Sequence, residues 1–252
     1  MLPPLLFAAF PVVSTFVGGY VVFKWKRDLH PWLSLSGGLL LGVAFLDLLP
    51  EAMERGHDAG FDPMPILAAS LAAIILFHIL DKVFAVHHHE HASGEPVEPC
   101  DNDRHRATKA WVRASGMVLH SVCDGLAIGG GFAANYHLGL LIALAVVMHD
   151  FSDGMSTVTV LKSAIGGRRS VLAMLGLDAI APFIGALIGM AIAPNQTVIS
   201  LMLAAFAGFF IFLALSELLP QAHSGKLARA HGVALTILGI LAVVFIQSFA
   251  KV

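Results

Sequence analysis

Eight separate stretches of roughly 20 mainly apolar residues run along this chain of 252 residues. A helix needs about that length to cross the hydrocarbon core of a bilayer. The stretches fall at about 2–23, 33–54, 64–86, 112–134, 138–161, 170–193, 197–219 and 232–250. Composition agrees, with 57% hydrophobic and 13% charged residues and a mean hydropathy of +0.81. Soluble domains carry about 25% charged residues. The first stretch has no basic residue ahead of it, and its basic cluster (Lys24, Lys26, Arg27) follows it. A secretory signal has the opposite order, so this segment reads as a first span.

The basic residues fix an orientation. With the N-terminus outside, the inside loops hold Lys24, Lys26, Arg27, Lys82, Arg104, Arg106, Lys109, Arg113, Lys162, Arg168, Arg169, Lys226 and Arg229. The outside segments hold only Arg55 and Lys251. Positive charge concentrates on the cytoplasmic side of membrane proteins, so both termini are expected outside. The polar stretch 87–109 reads as a His-rich cytoplasmic loop. Asn135-Tyr136 and Pro194-Asn195 are turn candidates in the two shortest connections. Cys100 in the loop and Cys123 in a span are poorly placed to pair, and no repeated CxxC marks a structural zinc site. The net charge of -2 gives no sign of nucleic-acid binding.

An internal echo links the second and seventh spans: Asp47-Leu48-Leu49-Pro50 closes one and Glu217-Leu218-Leu219-Pro220 closes the other. Inverted repeats in transporters leave traces of this kind. The expected fold is an all-α membrane protein of eight transmembrane helices, in a 3+2+3 bundle with an inverted repeat. The chain is then a single transmembrane domain.

The fourth span carries His120-Ser121-Val122-Cys123-Asp124-Gly125, and the fifth carries His149-Asp150-Phe151-Ser152-Asp153-Gly154. Positions four apart share a helix face, so each histidine lies over its aspartate. Ser121 and Asp150 extend the same polar faces. A short connection makes the two helices antiparallel neighbours, with both motifs near mid-membrane. An aspartate at mid-bilayer costs about 2.5–3.5 kcal/mol on insertion scales. No Lys or Arg lies between Arg113 and Lys162 to offset Asp124, Asp150 and Asp153. A divalent cation or bound protons would supply the missing charge, and imidazole with carboxylate suits zinc, iron, manganese and related ions. Hydroxyls and amides hold helices together more cheaply, so helix adhesion alone is a poor account of these groups. Asp178 in the sixth span, near Gly176 and Pro182, is a further candidate.

Other polar groups carry less information. Asp47 and Glu217 suit an entrance or exit, or simply a solvated helix end. Glu51, Glu54, His57, Asp58 and Asp62 read as a solvated outer loop. His87, His88, His89 and His91 form a tract of a kind that binds metal weakly. His78 reads as a packing residue. His223 and His231 flank the last inside loop without an assigned role.

The run His120-Ser121-Val122-Cys123-Asp124-Gly125-Leu126-Ala127-Ile128-Gly129 closely resembles the fourth-helix signature of the ZIP (ZRT/IRT-like) metal transporters. The motif from His149 to Gly154 resembles its fifth-helix partner. Leu48-Leu49-Pro50-Glu51 and Ser216-Glu217-Leu218-Leu219-Pro220 are similar to family segments too. The resemblance implies a binuclear centre. His120, Asp124, His149 and Asp153 would form the primary metal site, and Ser121, Asp150 and Asp178 the adjacent one. Asp124 and Asp153 could bridge the two. It further implies uptake towards the cytosol by a sliding, elevator-like motion, and a homodimer. The plasma membrane is the expected location. No catalytic cofactor is implied. The cargo is a divalent metal, zinc first, with iron, manganese, cobalt and cadmium open. Here Ser121 stands for the commoner Asn, and Cys123 and Ser152 for the proline that often precedes each acid. The absence of a P-loop argues against ATP hydrolysis. Two other readings are a metal-dependent intramembrane hydrolase and a metal sensor that does not transport.

Overall fold

A computed structural model describes residues 2–24, 30–84, 103–164, 167–192, 196–223 and 229–250. These residues form eight helices in chain order: α1 (Leu2–Lys24), α2 (His30–Asp58), α3 (Pro63–Phe84), α4 (Asp103–Ala134), α5 (Tyr136–Ala164), α6 (Arg168–Ile192), α7 (Gln196–His223) and α8 (Arg229–Ala250). No strand occurs among the described residues. Seven of the helices are long and apolar enough to cross a bilayer, and α1 carries a shorter apolar run, Leu6–Val22. The protein is a multi-pass, all-helical integral membrane protein.

Two local features differ from the sequence reading. Helix α4 starts at Asp103, inside the stretch read as a loop to residue 109. The segment from Asp103 to Ser115 has no Gly or Pro, and its Ala, Arg and Lys residues favour helix. The rest of that loop, including the tract at His87–His91 and Cys100, lies outside the described residues, as does the Pro194-Asn195 turn. Second, neither Pro50 nor Pro220 ends its helix. Each follows a π-helical turn, Ala44–Leu48 or Ala214–Leu218, and the helix then resumes. Proline lacks an N–H, so the carbonyl four residues earlier loses its helical donor. In α2 that carbonyl belongs to Leu46, and Gln247 of α8 donates to it at 2.9 Å. The same amide nitrogen donates to Asp47 Oδ1. The sequence echo is therefore a structural one, with the same π turn in the same place on two helices.

The helices pack as two groups. Helices α1, α4, α5 and α6 lie against one another, and α2, α3, α7 and α8 form the second group. The neighbours are paired as an inverted 3+2+3 chain requires. Helix α2 packs on α8 as α7 packs on α3, and α1 packs on α5 as α6 packs on α4. The groups meet where α2 touches α5 and α7 touches α4.

The glycine of each motif explains the closeness of the outer pair. A methyl group at Gly125 would overlap the Pro182 carbonyl oxygen of α6, and one at Gly154 would overlap the Thr15 carbonyl oxygen of α1. Small residues let transmembrane backbones approach this closely.

The apolar core is asymmetric along the bundle axis. Its larger part joins both groups, with Ile128, Ile142 and Val146 packed together with Leu40, Val43, Leu203 and Phe210. A smaller cluster (Ala110, Ala114, Val158, Leu161, Val171, Met174, Leu175) belongs to α4, α5 and α6 alone. It sits toward the end that carries the basic loops.

Candidate metal centre

The two motifs meet where α4 and α5 cross. His120 Nε2 lies 3.4 Å from Asp124 Oδ2 and 3.6 Å from Asp153 Oδ2. His149 Nε2 lies 3.4 Å from Asp124 Oδ2 and 3.8 Å from Asp153 Oδ2. One ligand atom from each of these four residues falls within 4.8 Å of all the others. Four ligands at about 2.0–2.1 Å around a tetrahedral zinc stand about 3.3 Å apart. The four His–Asp contacts, 3.4–3.8 Å, are close to that spacing.

The polar atoms here face one another without hydrogen bonds. His120 Nε2, His149 Nε2, both Asp124 oxygens, Asp150 Oδ1 and Asp153 Oδ2 are buried with no hydrogen-bond partner. Buried polar atoms almost always have one. Six such atoms converge in one place, rich in lone pairs and poor in donors, an arrangement that a bound cation or protons on the carboxylates would satisfy. The imidazole of His149 is oriented for that task. Its Nδ1 lies 3.0 Å from the Ala145 carbonyl oxygen, which can only accept. That bond places the proton on Nδ1 and leaves the Nε2 lone pair directed at the cluster. The ring of His120 packs edge-on against Phe209 of α7, with centroids 4.9 Å apart, which fixes its plane.

The remaining expected residues divide. Asp150 Oδ1 lies 3.5 Å from His149 Nε2, and its Oδ2 lies 3.5 Å from the Thr15 hydroxyl of α1. Asp178 is fully buried and takes a hydroxyl on each oxygen: Ser121 Oγ donates to Oδ1 at 2.7 Å and Thr157 Oγ1 to Oδ2 at 2.7 Å. The expected pair Ser121 and Asp178 is thus bonded together beside the four-residue cluster. Thr157 and Thr15 were not singled out from sequence. Thr157 was within reach, since His149, Asp153 and Thr157 follow at intervals of four on one face of α5. Thr15 lies on α1, whose neighbours the sequence does not specify.

Helix α2 also grips α5 beside the cluster. Trp32 Nε1 and Ser36 Oγ both donate to the Met148 carbonyl oxygen, at 2.8 and 3.1 Å. A cavity of about 440 Å³ reaches His120 and Asp153 from one side. Leu33, Asp81, Lys82, Glu217 and Gln221 line it, so it opens toward the basic-loop end. Glu217 therefore faces the passage from the cluster. Asp47 is instead held by Gln247 of α8. His78 stacks edge-on against Phe212, a packing role. Glu51 pairs with Arg55, while His57 and Asp58 are exposed.

Fold and centre together define a class: multi-pass helical membrane proteins with an imidazole–carboxylate cluster buried between their helices. Within it, the chain belongs to the ZIP zinc transporter family, whose model matches residues 85–247. It is 28% identical over 223 residues to zinc transporter ZupT of Corynebacterium aurimucosum, covering 84% of this chain and 83% of that one. It is 25% identical over 248 residues to zinc transporter ZupT of Akkermansia muciniphila, covering 91% and 89%. It is 33% identical over 132 residues to zinc transporter foi of Drosophila melanogaster, covering 52% of this chain but only 19% of that protein.

Proposed function

We propose that the protein carries divalent transition metal, zinc first, across a membrane and into the cytosol. His120, Asp124, His149 and Asp153 hold the ion in transit. The observation that carries this reading is the convergence of ligand atoms from His120, Asp124, His149 and Asp153 within 4.8 Å of one another, among buried polar atoms without hydrogen-bond partners. Membership of the family supports it, and so do the relatives named as zinc transporters. Asp150 stands ready as a fifth oxygen through Oδ1. A second ion on Ser121 and Asp178 requires Asp178 to give up a hydroxyl bond.

Charge and cavity support the inward direction. The cavity leads from His120 and Asp153 toward the basic-loop end, which the charge bias places in the cytosol. Asp81 and Glu217 line the way, supplying oxygen ligands for a leaving cation. The plasma membrane is the proposed site, and iron, manganese, cobalt and cadmium are further candidate cargoes. A homodimer belongs to the same proposal, and α3 and α8, among the least covered helices, offer faces for a second copy.

Uptake into proteoliposomes loaded with a zinc-sensitive dye tests the reading. Saturable uptake by the wild type, lost in folded Asp124→Ala and Asp153→Ala proteins, is expected. Stoichiometric binding without flux of any of the five metals would replace transport with sensing.

A further inference from the structure

At the end of the bundle opposite the cavity, one arginine makes three hydrogen bonds in three directions. Arg55, near the last turn of α2, donates Nε–H to Glu51 Oε1 at 2.7 Å. Its Nη1 donates to Gln196 Oε1 at the start of α7, at 2.6 Å. Its Nη2 donates to the Ala134 carbonyl oxygen at the end of α4, at 2.7 Å. The last carbonyls of a helix have no donor within it, so Ala134 offers an open acceptor at the negative end of the α4 dipole. Glu51 Oε1 also accepts from Asn135 Nδ2 at 3.1 Å, and Asn135 Oδ1 caps α5 by accepting from Leu138 N at 2.8 Å.

Helices α2 and α7 belong to one group, and α4, α5 and the turn between them to the other. Arg55 and Glu51 therefore fasten the two groups together across their interface. An exposed ion pair would contribute little, but the Arg55 side chain is only 17% exposed and a guanidinium fork fits several acceptors at once. Below it lies the apolar core that joins both groups, and the cavity opens at the other end. Arg55 and its partners thus lie beyond the joining core, on the side away from the cavity.

We infer that Arg55, with Glu51, Asn135 and Gln196, is a latch that holds the far mouth shut in this conformation and must release before that mouth can open. Glu51 and Arg55 are presented together one turn apart on α2, joined by their own 2.7 Å bond. Losing one charge-assisted bond of this kind shifts an opening equilibrium by about tenfold.

The test reads access rather than flux, so its failure leaves the transport reading standing. In protein whose native cysteines are replaced by serine, Ile128→Cys places a thiol in the joining core on the latch side of His120. The protein is reconstituted in nanodiscs, where both faces are accessible, and labelled with a membrane-impermeant maleimide. Labelling is expected to be slow with the latch intact and about tenfold faster with Arg55→Gln. Gln196→Leu, which removes one bond at the edge and leaves α2 untouched, is expected to quicken it in the same direction. Unchanged labelling in the folded variants overturns the latch. If Arg55→Gln fails to fold, Gln196→Leu decides alone.

Discussion

His149 Nδ1 lies 3.0 Å from the carbonyl oxygen of Ala145, one turn back along α5, and this single contact settles which nitrogen faces Asp124. The free Nε2 sits 3.4 Å from Asp124 Oδ2. In the proposed site, replacing His149 with Ala removes a metal ligand outright. Zinc affinity should fall by more than the ~10–100-fold that a lost supporting contact costs. Equilibrium dialysis of purified protein measures this, and an affinity within threefold of wild type would remove His149 from the site.

Asp178 is held by two hydroxyls, from Ser121 and Thr157. Thr157→Val keeps the shape of the side chain and deletes one donor. A buried carboxylate oxygen left without its partner costs about 1–3 kcal/mol or more. A lower thermal unfolding midpoint is expected for Thr157→Val and for Ser121→Ala. The double variant should lose a different amount from the sum, because both changes act on one carboxylate.

Gly125 and Gly154 face the carbonyl oxygens of Pro182 and Thr15, whereas Gly176 faces open space. Gly154→Ala must push α1 from α5, and overpacking of this kind costs about 1–3 kcal/mol. Gly176→Ala on the same fold should be neutral or stabilising by about 0.5–1 kcal/mol, through the reduced freedom of the unfolded chain. Thermal melts of the two variants side by side separate close approach from a general intolerance of substitution.

Gln247→Leu removes the donor that replaces the missing N–H of Pro50 at Leu46. Loss of stability by about 1 kcal/mol is expected from the lost hydrogen bond. Pro50→Ala in the same background restores a helical N–H for Leu46 and should recover part of that loss, as read by denaturant titration.

Most of the fold could be read from the chain because span length, basic loops and turns are local signals. Each of the eight apolar stretches falls on a helix, and Asn135 is the single residue between α4 and α5. The convergence of His120, Asp124, His149 and Asp153 was legible for the same reason: spacing by four on adjacent helices puts each pair on one face. What was not legible depends on long-range packing. Thr15 reaches Asp150 from α1, 135 residues away in the chain, and Trp32 and Ser36 reach Met148 from α2. The continuation of α2 past Pro50 depends on Gln247, which a local rule about proline cannot supply. The grouping of α1 with α4, α5 and α6 likewise comes from close glycine contacts between segments far apart in sequence.

The most direct test of the central claim is X-ray absorption at the zinc edge on protein loaded with one equivalent of zinc, alongside Asp124→Ala and Asp153→Ala proteins. A four-ligand buried centre of this composition should show nitrogen and oxygen scatterers near ~2.0–2.1 Å with imidazole outer shells, and no sulfur near ~2.3 Å. Both substitutions should abolish that spectrum. A sulfur shell, or an unchanged spectrum in the substituted proteins, would place the zinc elsewhere and contradict the site assigned to His120, Asp124, His149 and Asp153.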